Sequence, residues 1–272
     1  MTYENPPVWV IEKDVFNTKM MEAMVSWLEN NDVEHHVVRV KPFVHEIEGE
    51  VPNLYDRPVV VYGSIGAQKL AERHYWYPGI WTGEGLNEDA LRTELGRLYL
   101  NHDVETYTFK TLFNANSSKV PRKFFVKPNT DTKEFAGFVS SPAEFKSWYE
   151  KMLDIGYLDE SILSTELAVS SVKKVGCEWR LLIVDGKVAD YSIYRQYQTV
   201  MTAHECPDEV IQFAEICARR WSPYPVFGLD VCESEEGYSI VEYNCFNSMG
   251  LYAMDIPTVM KAVTDYVKER YS

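Results

Sequence analysis

Residues 227–244 read Phe227-Gly-Leu-Asp230-Val-Cys-Glu-Ser-Glu-Glu-Gly-Tyr-Ser-Ile-Val-Glu242-Tyr-Asn244. Apolar residues alternate around Asp230, an acidic turn follows, and a second apolar run ends in Glu242-Tyr243-Asn244. The stretch therefore predicts a hairpin of two strands. Side chains alternate faces along a strand, which places Glu242 and Asn244 on the same face. A turn near Glu236 sets Asp230 opposite Glu242 and gathers two carboxylates and an amide oxygen on one patch of sheet. Two readings are open for such a patch. It is a solvated hairpin surface, or it is a set of hard oxygen ligands of the kind Mg²⁺ takes beside the phosphates of a nucleotide.

The surrounding chain has 272 residues, 46% hydrophobic and 25% charged. That is ordinary for a globular protein and long enough for two modest domains. A formal net charge of -14 argues against broad contact with a nucleic-acid backbone, which calls for a basic surface, but leaves room for one local basic pocket. The five cysteines are odd in number and form no Cys-x-x-Cys pair, which argues against a disulfide framework or structural zinc and fits a reducing cytoplasm. The histidines lack metal-ligand spacing, and neither a signal peptide nor an apolar run of membrane-spanning length is visible. A soluble cytoplasmic protein is expected.

From the N-terminus, strands over 8–11, 36–40 and 58–62 alternate with helices over 16–31 and from 66 through 73, the pattern of a small parallel α/β layer. Gly63-Ser-Ile-Gly66 is a strand-to-helix turn without the lysine of a phosphate-binding loop. His74-Tyr-Trp-Tyr-Pro-Gly-Ile-Trp81 is an aromatic loop that either lines a substrate entrance or caps a domain interface. A helix over 87–101 leads to a domain boundary near 104.

Beyond the boundary, Lys123-Phe-Phe-Val-Lys127-Pro128 is a strand ending in a lysine, and Lys133 follows in a polar loop. A helix spans 142–155, a connecting strand 162–169, and a hairpin 177–196 around Asp185-Gly186. Helices at 207–221 and 257–271 flank the acidic hairpin. Lys127, Lys133 and Arg180 stand out against the acidic background. Arg180 lies inside an apolar strand, where its charge requires an acid, a phosphate or solvent. The plain alternative puts Arg180 on the solvent face beside Glu178, with both lysines at the surface. Combined with the downstream Asp230, Glu242 and Asn244, the three cations point instead to a triphosphate and magnesium site.

The ordered set Val126-Lys127-Pro128, Lys133 with Phe135-Ala-Gly137, Glu178-Trp-Arg180, Ser192-x-Tyr194-Arg195, Asp230, and Glu242-x-Asn244 followed by Ser248-x-Gly250-x-Tyr252 resembles the ATP-grasp fold. Within that superfamily it is similar to a divergent clade known by an arginine-and-lysine signature. Members occur in phage and bacterial proteins, and the clade is similar to a eukaryotic translation-initiation-factor assembly protein. The implied fold class is α/β, with an α+β C-terminal part. Residues 105–272 would form the ATP-grasp domain of two subdomains with the nucleotide between them, and residues 1–104 the pre-grasp α/β domain.

The resemblance also implies roles. Lys127 and Lys133 contact the α- and β-phosphates, and Arg180 reaches the phosphates from the facing sheet. Asp230, Glu242 and Asn244 hold Mg²⁺ as solvent-accessible ligands. The connector Ser164 to Ala168 reads the adenine edge through the backbone of Leu167 and Ala168 and through Glu166. Arg195 either stabilises the transferring phosphoryl group or binds a substrate carboxylate. The loop after Lys127 departs from the glycine-rich run of standard members. The implied activity is an ATP- and Mg²⁺-dependent carboxylate–amine ligase acting on a peptide, protein or small amino compound. Two other classes stay open: a nucleotide-binding assembly factor without ligation, docking through residues 74–81, and a binding domain that takes no nucleotide.

Overall fold

Val8–Glu12 (β1) is buried at every position, as a strand must be when parallel neighbours flank it and helices cover both faces. The computed structural model describes residues 3–41, 46–82, 87–115, 120–129, 135–197 and 199–272. Helix α1, Thr18–Asn30, follows β1; Asn17 caps it by accepting the Lys19 amide at 2.9 Å, and Met24 and Leu28 supply its buried stripe. His35–Val38 (β2) pairs parallel with β1, and the short strands Val40–Lys41 (β3) and Glu46–Ile47 (β4) pair antiparallel with each other. Val59–Tyr62 (β5) feeds helix α2, Ile65–Arg73, where Ser64 is the cap. Pro78–Gly79 (β6) completes a sheet of order β2-β1-β5-β6. The aromatic loop is thus part of the sheet's packing, with Trp76 and Trp81 buried and Tyr75 and Tyr77 exposed.

Glu88–Leu95 (α3) is shorter than the helix expected over 87–101, because Gly96 adopts a φ of 56° that no helix continues through. Glu105–Tyr107 (β7) and Phe109–Phe113 (α4) occupy a Thr-rich segment that carried no clear periodicity. Phe124–Pro128 (β8) and Phe138–Ser140 (β9) follow. Helix α5, Pro142–Asp154, opens on a capping box between Ser141 and Glu144. The expected strand over 162–169 starts later: Glu160–Ser164 (α6) is helical, capped by Asp159, and the strand is Leu167–Ser171 (β10). The antiparallel sheet runs β7-β10-β8-β9 over an aromatic core of Phe109, Phe124, Phe135 and Phe145.

Val175–Val184 (β11) and Lys187–Gln196 (β12) form the hairpin read from Asp185-Gly186, whose φ angles of 49° and 77° match a type I′ turn. Thr199–Ala203 (β13), not foreseen from the sequence, adds the edge. Asp208–Arg220 (α7) precedes Val226–Ser234 (β14) and Gly237–Cys245 (β15), so the acidic hairpin turns at Glu235-Glu236. The five strands run in the order β13-β12-β11-β14-β15, and Ile256–Tyr271 (α8) closes the chain. No helix among the described residues is long and apolar enough to cross a membrane, and the five cysteines are free thiols.

The chain forms two compact units that do not follow its order. One comprises 1–83, 177–232 and 242–272; the other comprises 84–176 and 233–241. In the first, Trp9 and Ile11 of β1 share a core with Leu182, Phe246, Val259 and Val263, and the Trp9 indole donates to Thr264 Oγ1 at 3.0 Å. In the second, Leu100 donates its amide to the Ile240 carbonyl at 2.8 Å.

Asn247, fully buried, ties the first unit together. Its Nδ2 donates to the carbonyls of Val61 and Gly79 at 2.6 Å each, and its Oδ1 accepts the Trp81 amide at 2.8 Å. Its carbonyl accepts the Gly63 amide at 2.7 Å. Asn247→Ala strands three buried backbone groups, each costing about 1–3 kcal/mol. Urea denaturation should show a loss of roughly 3 kcal/mol or more, far above a surface Asn→Ala change.

Candidate functional site

Arg180 stands in the middle of β11 with Trp179 and Leu181 buried on either side, and it is buried itself. Its Nε and one terminal nitrogen donate to the two Asp230 oxygens at 2.8 Å each, the paired fork geometry of an arginine–carboxylate bond. The other terminal nitrogen donates to the Gly250 carbonyl at 3.3 Å. Glu242 Oε1 lies 3.6 Å from the guanidinium. Arg180 therefore faces Asp230 and Glu242, and not Glu178 on a solvent face.

The charges bear on one another strongly. The Asp230 carboxyl is pushed up to about 6: burial raises it, Arg180 pulls it down, and the neighbouring Glu242 raises it further. Burial works against the Arg180 cation, yet Asp230, Tyr252 and Glu242 outweigh that and hold it firmly protonated. Asp230 is only 1% exposed, which corrects the expectation of a solvent-accessible ligand, whereas the Glu242 side chain is 33% exposed.

Around the guanidinium sits an aromatic wall. The Arg180 Cζ is 5.0 Å from the Tyr252 ring centroid and 5.7 Å from that of Tyr194, and the two rings stack at 5.0 Å with an interplanar angle of 13°. Register explains the next layer. Glu178 pairs with Arg195 across β11 and β12, a bulge intervenes, and Arg180 then pairs with Ser192. Glu178 accordingly accepts from the Tyr194 hydroxyl at 2.8 Å and from Arg195 at 3.1 Å. Ser192 is a latch, accepting the Ala253 amide at 3.2 Å and donating to the Ala203 carbonyl at 3.1 Å.

Asp230, Glu242 and Asn244 have the donor chemistry for Mg²⁺, which prefers one or two carboxylates completed by phosphate and water. Each Asp230 oxygen gives one lone pair to Arg180 and keeps further acceptor capacity. The Asn244 amide nitrogen is buried without a hydrogen-bond partner among the described residues. Among those residues no group of three or more His, Cys, Asp or Glu side chains gathers as a metal cage. A carboxylate pair with an amide beside it fits a cation that brings most of its own ligands.

In the second unit, Lys127 of β8 lies 2.6 Å from Glu88 Oε1, and the Tyr99 hydroxyl donates to the other oxygen of that buried carboxylate. Ala168 and Leu167 of β10 sit directly opposite Lys127 and Pro128 in the ladder. The Asn129 amide accompanies them, bonding the Glu166 carbonyl at 2.8 Å, with its side chain reaching Glu166 at 3.2 Å and Asp89 at 3.4 Å. The strand register thus joins Lys127 to the 166–168 stretch. Lys133 lies outside the described residues.

These features have a match among known proteins. A family model for an ATP-grasp domain, family 3 of the arginine-and-lysine clade, matches residues 74–263, well over half of the chain. The chain belongs to that clade of the ATP-grasp domains. Its fold is that of ATP-grasp structures. D-cycloserine synthetase DcsG is 11% identical with a TM-score of 0.65 over 96% of this chain and 100% of that one. D-alanine–D-alanine ligase from Bacillus anthracis is 15% identical with a TM-score of 0.62 over 97% of each chain. The ATP-grasp ligase PsnB in complex with a minimal precursor is 12% identical with a TM-score of 0.54 over 96% of this chain and 99% of that one. A comparison with curated proteins found no match.

Several participants escaped the sequence reading. Glu88 and Tyr99 lie far from Lys127 in sequence, and Glu88 reads locally as an ordinary acid in a helix's first turn. The stacking of Tyr194 on Tyr252 joins residues of separate elements and leaves no periodic trace. The burial of the Arg180–Asp230 pair is testable on its own. Arg180→Met leaves an uncompensated buried carboxylate and should cost about 3–5 kcal/mol, while the double change Arg180→Met/Asp230→Leu should recover most of it. Chemical denaturation of both variants measures the difference.

Proposed function

We propose that this ATP-grasp protein is an ATP- and Mg²⁺-dependent ligase that joins a carboxylate to an amine through an acyl phosphate. The observation that carries the reading is the pairing of one buried guanidinium with two carboxylates, Asp230 and Glu242, inside an ATP-grasp fold. D-alanine–D-alanine ligase and the ligase PsnB with its precursor, both of this fold, support it by analogy.

In the reaction, a substrate carboxylate oxygen attacks the γ-phosphorus, the bond to the β-phosphate oxygen breaks, and ADP leaves. The amine then attacks the acyl carbon, loses a proton, and expels inorganic phosphate. The barrier is one of repelling anions, so positioned cations do the catalytic work and no nucleophilic side chain is needed. Arg180, held in plane by Asp230, is assigned to the phosphoryl oxygens. Arg195, half-exposed and tethered by Glu178, is assigned to the transferring phosphoryl group or the substrate carboxylate.

Asp230, Glu242 and Asn244 would hold Mg²⁺, which when bound neutralises the β- and γ-phosphate charge. In the second unit Lys127 and Lys133 are assigned to the α- and β-phosphates. Glu88, now on Lys127, must then share or yield that lysine. The backbone of Leu167 and Ala168, with Glu166, is assigned to the adenine edge.

The test is incubation with ATP, Mg²⁺ and pools of amino acids and short peptides, scored by ADP and phosphate release. Glu242→Gln and Lys127→Ala should each weaken MgATP binding about ten-fold or more, the scale of one charge-assisted contact. Tight MgATP binding with no turnover on any pool would favour an assembly factor. Absence of MgATP binding would sink both readings.

A further inference from the structure

Arg180 is confined in two different ways. Within its own plane, the two bonds to Asp230 and the bond to the Gly250 carbonyl fix the guanidinium's direction. Hydrogen bonds in the plane do little to resist movement out of it. That direction is flanked by two rings, Tyr252 at 5.0 Å and Tyr194 at 5.7 Å from Cζ, which stack on each other at 13°. Arginine favours such ring faces, since its weakly hydrated planar cation gains both stacking and quadrupole attraction.

Tyr252 is not held in place by burial. It is 46% exposed, and its φ of 52° lies in the left-handed region that bulky residues avoid. A side chain kept in a disfavoured backbone conformation while half open to solvent is a candidate for function rather than folding. Tyr194, by contrast, is buried and anchored through its hydroxyl to Glu178. A buried, anchored ring and a half-exposed one thus stand side by side against the guanidinium. The next residue, Ala253, is pinned by its amide to Ser192 Oγ at 3.2 Å, and Gly250 carries the carbonyl that Arg180 holds. Much of the short stretch after Met249 is thereby given over to one guanidinium.

We propose that Tyr252 is a positioning residue: its ring, stacked on Tyr194, is the platform that keeps the Arg180 guanidinium turned toward Asp230, Glu242 and an anionic ligand. The proposal rests on the assignment of Arg180 to phosphate, and it adds a residue whose contribution runs through Arg180 and not through direct contact with the nucleotide. It also separates the two halves of the residue's chemistry. The ring carries the role, the hydroxyl does not.

The test compares the parent with Tyr252→Phe and Tyr252→Gly. Glycine accepts the left-handed backbone, so Tyr252→Gly should fold with an unchanged or higher melting temperature, and a simple structural role predicts a lower one. In protein labelled with ¹⁵N-arginine, the Arg180 Nε–H resonance reports orientation and order without any nucleotide. The glycine variant should shift and lower the order of that resonance, and the phenylalanine variant should leave it as in the parent. By calorimetry, MgATP affinity should fall about ten-fold in the glycine variant and less than two-fold in the phenylalanine variant, with adenosine affinity equal in all three. An Arg180 resonance of unchanged order in Tyr252→Gly overturns the platform, whatever nucleotide does. Lost order in a protein whose parent binds no MgATP sustains the platform and overturns the ATP assignment instead.

Discussion

A guanidinium in the middle of a buried strand has lost its water and must recover equivalent interactions from the protein. Arg180 does so through both oxygens of Asp230, the Gly250 carbonyl and two stacked rings. Much of the neighbouring structure follows from that demand. Asp230 is buried against it, Tyr252 stacks beside it with a φ of 52°, and Glu242 lies 3.6 Å from the cation. A buried ion pair of this kind adds little to stability beyond what apolar residues would supply in its place.

The second unit solves the same problem with a different cation. Lys127, on a half-buried strand, is paired with Glu88, itself held by Tyr99. Both of these cations are thus partnered by carboxylates. Arg195, paired with Glu178, is half-exposed where Arg180 is buried.

The sequence carried the hairpin, the parallel N-terminal layer and the ATP-grasp resemblance because each depends on local alternation, turn residues or ordered motifs. Asp185-Gly186 dictated its turn, Asn17 and Ser141 their helix starts, and Phe227 to Asn244 its two strands. It failed where a local conformer outweighed periodicity. Gly96 ended a helix early, the Asp159 cap made a turn of helix where a strand was expected, and β13 arose from pairing with β12.

What the sequence by itself determined is which charged residues the chain owns and on which strands they ride. Only the tertiary structure decided their partners. Burial made Asp230 the counter-ion of Arg180, a bulge in the ladder gave Glu178 to Arg195, and helix α3 delivered Glu88 to Lys127. The reason is physical. Face and spacing are set by backbone geometry over a few residues, whereas a charge's partner is set by desolvation, which exists only once distant segments have closed over it.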